Sequence, residues 1–306
     1  MAGEAAITVD GLTKRYGAQA AVDDLSFEVR SGAVTGFLGP NGAGKTTTLR
    51  MVLGLARPTA GRALILGQPY ESLPDPAHTV GASLEVSGFH PGRSGRDHLR
   101  SLAVMAKLPR SRVEEVLDIV ELRSAAGRRA GKYSMGMRQR LALAATLLGD
   151  PHVLVLDEPA NGLDPQGIRW LRDFLRSKAG EGRTVLVSSH VLSEVAQTVD
   201  DVVVISRGRL TYQGSILDFT RRAGGDLTRV QATDIARLRP ALEAAGATLR
   251  EGGADHELLV ADLDAPAIGE IALREGVALR ELTAHGASLE DVFLELTADP
   301  AEVAQP

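Results

Sequence analysis

The chain has 306 residues and a formal net charge of −5, so it lacks the basic surface that nucleic-acid binding requires. It contains no cysteine, which excludes disulfides and thiolate metal sites and fits a reducing compartment. No apolar run approaches the roughly 18 residues that span a bilayer, and no secretory leader is expected. Any membrane path must therefore come from a separate protein, and the length suits one large domain plus a small one.

Residues 7–9 and 25–29 alternate apolar with polar, as in antiparallel strands with one wet face. A turn at Ser31-Gly32 leads to a strand over 33–38. That strand runs into Gly39-Pro40-Asn41-Gly42-Ala43-Gly44-Lys45-Thr46-Thr47, with a helix expected over 46–55. The segment fits G-x-x-x-x-G-K-[ST] in the strand–loop–helix setting that the motif requires. Its glycines let successive N–H groups face one anion at the positive end of a helix. Lys45 brings a point charge to the β- and γ-phosphates of a nucleotide, and Thr46 a hydroxyl for Mg²⁺.

Short strands follow over 63–67 and 80–84. From 86 to 150 the apolar spacing becomes helical, with helices expected over 97–108, 112–122 and 134–148. The last of these opens on Ser134-Met135-Gly136-Met137-Arg138-Gln139-Arg140. Four apolar residues at 153–156 then read as a strand buried on both faces, ending in Asp157-Glu158. Carboxylates at that end sit where open α/β sheets bind ligands. Asp157 suits Mg²⁺, opposite Thr46, and Glu158 suits orienting or deprotonating an attacking water. A strand over 184–188 ends at Ser188-Ser189-His190, in the same topological place, and 200–214 holds two more strands around Arg207-Gly208-Arg209. Residues 221–225, with two arginines and two glycines, read as a linker. Beyond it come a strand (227–231), a helix (234–245), two strands (247–250, 257–260), a helix (265–275), a strand (278–282) and a last helix (289–297), an order that suggests a ferredoxin-like unit.

Over about residues 5–215 these motifs resemble the nucleotide-binding subunit of ABC transporters. The resemblance implies an α/β fold of the P-loop NTPase, ABC ATPase type, with an antiparallel β subdomain and a helical insert over about 86–150. That domain is expected to span 1–220, followed by a small α+β accessory domain over 226–306. It also implies ATP and Mg²⁺ as cofactors. Tyr16 matches the aromatic that stacks on adenine. Ser134 and Gly136 occupy the signature motif, usually Leu-Ser-Gly-Gly-Gln, which meets the γ-phosphate of ATP held by a second copy. Asp164, in Asn161-Gly162-Leu163-Asp164, matches the loop that reaches across the dimer, and His190 the histidine that contacts the γ-phosphate. Glu158, His190 and Lys45 are the implied catalytic residues.

Two departures stand out. Met135 and Met137 replace the first Gly and the Gln of the signature, and Glu85 stands where the family commonly has a Gln that touches Mg²⁺. Exporters of the bacitracin- and daunorubicin-resistance type look similar at both places. The implied partners are a separate membrane-spanning permease, addressed through the loop 88–93, and a second copy or a related ATPase subunit, at the cytoplasmic face of the cell membrane. A soluble non-transport ABC ATPase is the alternative, disfavoured by the single domain of this kind and the net negative charge. A non-hydrolysing subunit is disfavoured by Lys45, Asp157, Glu158 and His190, and small-molecule kinases lack the Ser134-x-Gly136 pair.

Overall fold

β1 (Ala5–Tyr16) and β2 (Gln19–Arg30) pair antiparallel; β2 alternates buried with exposed side chains from Leu25 to Arg30, and β1 buries Ala6, Ile7, Val9 and Leu12. Both are longer than the alternation predicts. Register shifts after Val9 and Leu12, with Gly11 at a φ of 56°, break the period-two pattern within one continuous ladder. β3 (Val34–Leu38), buried along its whole length, leads through the phosphate loop to α1 (Lys45–Val52). β4 (Ala60–Ile65) then returns to pair with the free edge of β1, closing a three-stranded sheet in the order β2-β1-β4. The computed structural model describes residues 5–84, 88–191, 196–223, 228–251, 257–284, 293, 296 and 297. It divides the chain into two compact units, Met1–Ser215 and Ile216–Pro306.

The rest of the first unit is built on a second sheet. After the short helix α2 (Pro76–Thr79) come β5 (Val80–Ser83), the helices α3 (Gly95–Met105), α4 (Ser111–Ile119) and α5 (Met135–Thr146), and then β6 (Val153–Leu156). The long α6 (Pro165–Gly180) precedes β7 (Thr184–Ser189) and the hairpin β8 (Asp201–Ser206) with β9 (Arg209–Ser215). The strand order is β5-β6-β7-β3-β8-β9, parallel through β8 and antiparallel at β9. β3, β6 and β7 are buried at every position, and the unbroken Val/Leu run of β6 is the pattern of a strand covered on both faces. Phe27 of β2 stacks on Phe37 of β3 with centroids 5.2 Å apart, which joins the two sheets through one core. α6 has no counterpart in the periodicity reading, although Asp164 with Pro165 at the first helical position is a start signal: the Asp164 side chain accepts the Gly167 N–H at 2.7 Å.

In the second unit α7 (Ile216–Ala223) runs into the stretch expected as a linker. Then follow β10 (Thr228–Ala232), α8 (Ile235–Ala244), β11 (Thr248–Glu251), β12 (Glu257–Ala261), α9 (Ala265–Glu275) and β13 (Leu279–Ala284). The sheet is antiparallel throughout, in the order β11-β12-β10-β13, which is the ferredoxin-like arrangement. Its core is Val230, Leu238, Leu242, Leu258, Val260 and Ile268. The expected helix over 289–297 lies outside the described residues except for 293, 296 and 297.

In α3, His98 is buried and lies edge-on to Phe89, 6.0 Å away. Burial, reinforced by the charge of Arg93, pushes its imidazole below the ordinary value of 6.5. The unfolded chain therefore takes up this proton first, so stability is full above 6.5 and falls as pH drops from there through the lower folded value. Chemical denaturation of wild type and His98→Leu between about pH 7.5 and 5.5 checks this: wild type is expected to lose more stability than the variant over that window.

Candidate active site

β3 delivers the chain to a loop whose path is set by its glycines. Gly44 has a φ of 102°, and a Cβ there would stand 2.5 Å from the Ala21 carbonyl oxygen; at Gly39 it would stand 2.5 Å from the Ile205 carbonyl oxygen. No other residue fits this conformation and proximity. The β8–β9 turn supports the loop from behind. Arg207 and Gly208 both have positive φ, as a two-residue hairpin turn requires. Gly208 donates its N–H to the Ala43 carbonyl at 2.9 Å and accepts from the Asp23 N–H at 2.9 Å. The first turn of α1 has no intrahelical acceptors for its N–H groups, so the loop and helix start together form an anion-binding concavity.

The acidic end of β6 closes one side. Asp157, 8 % exposed, accepts from Thr46 Oγ1 at 2.7 Å and from Ser188 Oγ at the end of β7. Its own N–H donates to the Ser83 carbonyl at 2.7 Å. Glu158 has a φ of 48°, a left-handed conformation that costs an ordinary residue on the order of 1–3 kcal/mol. Ser188 Oγ accepts the Glu158 N–H at 2.9 Å and holds that turn. The Glu158 carboxylate then stands 3.2 Å from Lys45 Nζ and 2.9 Å from His190 Nδ1. Lys45, buried, also donates to the Gly39 carbonyl at 2.7 Å.

A cavity of about 350 Å³ lies over the loop, lined by residues 40–47 with Ala21, Glu158, Asn161 and His190. That volume is in the range of small-molecule sites. The structure thus brings together Pro40, Asn41, Gly42, Ala43, Gly44, Lys45, Thr46, Thr47, Glu158 and His190, with Gly39 and Asp157 directly behind. Tyr16, at the end of β1, is exposed and outside the cavity lining, with Lys14 Nζ 5.2 Å from its ring centroid. Ser134, Gly136 and Asp164 do not line the cavity either. Ser134 caps α5, its Oγ accepting the Met137 N–H at 3.3 Å, and Asp164 caps α6. Glu85 lies outside the described residues. Ser188 is the residue that motif reading overlooks; a buried serine ending an apolar strand beside the acidic one was the available signal.

Comparison with known proteins decides the family. Residues 22–161 match the family described as ABC transporter. The daunorubicin resistance ATP-binding protein DrrA3 of Streptomyces coeruleorubidus is 36 % identical over 313 residues, covering 98 % of this chain and 98 % of that one. The chain belongs to the ATP-binding proteins of ABC transporters. The bacitracin transport ATP-binding protein BcrA of Bacillus licheniformis is 44 % identical over 207 residues, 67 % of this chain and 68 % of its own. A solved ATP-binding subunit of an ABC transporter superposes with a TM-score of 0.64 at 27 % identity, covering 71 % of this chain and 92 % of that one. Residues 226–290 match a family described as a domain of unknown function. As a family member the chain is an ATPase, and among the described residues no helix is long and apolar enough to cross a membrane.

Thr46 Oγ1 and the Asp157 carboxylate are hard oxygen donors of the type Mg²⁺ takes, and they sit at the phosphate concavity. Among the described residues no group of three His, Asp or Glu side chains could hold a metal by itself, so a cation here fits only with phosphate and water completing its shell. Ser188→Ala removes one hydroxyl from the buried Asp157 carboxylate and from the strained Glu158 turn. It is expected to lower stability by about 1–3 kcal/mol in denaturant titrations, and to lower kcat for ATP more than it raises KM.

Proposed function

We propose that this chain hydrolyses Mg-ATP to power a membrane exporter, carrying a drug, antibiotic or lipid-like molecule, and that it does so by closing two copies around each ATP. The observation that carries the reading is the Glu158 carboxylate, held between Lys45 and His190 at the rim of the phosphate-loop cavity. The relatives named for bacitracin transport and daunorubicin resistance support the exporter branch.

In this reading the backbone N–H groups of Gly42 and 44–47, with Lys45, hold the β- and γ-phosphates, and Thr46 and Asp157 would hold Mg²⁺. The cation adds charge stabilisation to the phosphoryl group being transferred. Glu158 orients a water and accepts its proton as the water oxygen bonds to the γ-phosphorus and the bond to the β-phosphate oxygen breaks. Lys45 offsets charge gathering on the phosphoryl oxygens, and His190 keeps the Glu158 carboxylate in place. Ser134 and Gly136, at the start of α5, meet the γ-phosphate bound by the other copy. The exposure of this helix start suits such a contact, since Ser134 is exposed and Met135 is half exposed. Tyr16 stacks on the adenine, Asp164 stands at the seam between copies, and Glu85 would offer a further carboxylate oxygen to the cation. A separate permease at the cytoplasmic face of the membrane receives the motion through the helical insert.

Glu158→Gln keeps the shape and removes the proton acceptor. It is expected to slow hydrolysis by roughly 10²–10⁴-fold with ATP binding intact. Unchanged turnover would remove Glu158 from its role. The same variant, tagged and extracted from native membranes in ATP, is expected to co-purify with a multi-spanning permease. Recovery free of any membrane protein would favour a soluble ATPase.

A further inference from the structure

Two segments that face different ATP molecules in the proposed pair are bolted together inside each copy. Asn161 lines the cavity over the chain's own phosphate loop. Gln139, buried in α5, donates Nε2 to the Asn161 carbonyl at 3.0 Å. Met135 lies on Gly162, where a Cβ would come within 2.7 Å of the Met135 Cγ, and Leu163 lies 3.6 Å from the Cβ position of Gly136. Four residues after Gly136, the Arg140 guanidinium stacks on the ring of Trp170 in α6 at 4.2 Å, and that ring stacks on Phe174 at 5.4 Å. Arg140 also donates to the Val120 carbonyl at 3.1 Å, just past α4, and pairs with Glu121. A planar, permanently charged fork is the side chain that can stack on an indole and cap a helix end at once.

We propose that Gln139, Arg140 and Trp170 are positioning residues that lock the Ser134–Gly136 helix start to the loop 161–164. A shift at one ATP site then moves the part of the chain that serves the other. The clamp makes the two sites of a closed pair fire cooperatively, and Met135 adds a flexible apolar filler between the locked parts. This inference rests on the two-copy reading above. None of the three side chains lines the cavity, so their effect falls on coupling rather than on capture of ATP by the phosphate loop.

The test uses the full chain. Trp170 is the only tryptophan, so its emission in wild type and Arg140→Met reports the stack directly. Trp170→Leu and Arg140→Met are expected to lower kcat roughly 10-fold with KM for ATP changed less than about twofold, and to bring the Hill coefficient for ATP down toward one. The double variant is expected to be no worse than either single one, since both remove the same contact. Trp170→Phe, which keeps an aromatic face, is expected to restore most of the rate and the cooperativity. Should a clamp variant melt early, Gln139→Leu is read in the same assay with the same expectation. Normal kcat and normal cooperativity in folded clamp variants overturn the inference, as does failure of Trp170→Phe to recover either. Sedimentation of Glu158→Gln in ATP separates the two levels. A monomer overturns the two-copy reading and this inference with it, whereas a dimer combined with normal clamp variants overturns this inference alone.

Discussion

The buried carboxylate of Asp157 is the constraint on which the rest of the site depends. A charge that far from water is tolerated only when its oxygens are paired, and here each oxygen takes a hydroxyl from a different element: Thr46 at the start of α1, Ser188 at the end of β7. Bonds to a charged partner contribute about 1.5–3 kcal/mol each, so β6, β7 and the phosphate-loop helix are held in one register by a single side chain. The same Ser188 hydroxyl fixes the next residue. By accepting the Glu158 N–H it supports a left-handed turn that carries the Glu158 carboxylate away from the strand and toward Lys45 and His190. Strain at Glu158 is thereby balanced by hydrogen bonds that a plain strand end would not make.

The sheet behind that site sets the positions of its parts. β3, β6 and β7 are covered on both faces, and their carboxyl ends lie side by side in the parallel order β6-β7-β3. The phosphate loop continues from β3, Asp157-Glu158 from β6, and His190 from β7. The β8–β9 turn braces the loop through Gly208. Function here is the edge of a rigid core, consistent with the rule that open α/β sheets bind ligands at the carboxyl ends of their strands.

How much of this was legible depended on whether the signal was local. The phosphate loop and the acidic strand announce themselves, because tight glycine turns and a four-residue apolar run have direct physical causes. In the second unit the four strands and the two helices between them were legible for the same reason, in ferredoxin-like order, but α7 was not, since the stretch it runs into reads as a linker. The full extent of β1 and β2 was not, since bulges near Gly11 and Leu12 interrupt the alternation that periodicity reads. α6 hid behind the Asn161-Gly162-Leu163-Asp164 motif, although Asp164-Pro165 was a start signal. Ser188 escaped because its importance lies entirely in two partners that are 30 and 31 residues away in sequence. The departures at Met135 and Met137 also make structural sense. Ser134 still caps α5, Met137 uses only its backbone N–H in that cap, and Met135 fills the space over Gly162.

What makes the proposed mechanism more than a phosphate loop with a base is that each ATP needs two copies of the chain. Mixing two inactive variants tests this most directly. Lys45→Ala disables the phosphate loop. Gly136→Asp disables the helix start by charge, with the nearest atom to its Cβ an ordinary 3.6 Å away, so the fold survives. Each variant alone is expected to be inactive, and mixing them is expected to recover ATP hydrolysis, because one loop and one helix start, both intact, then meet across the seam. Mixed copies that remain as inactive as the separate ones, while wild type stays active, would contradict the account.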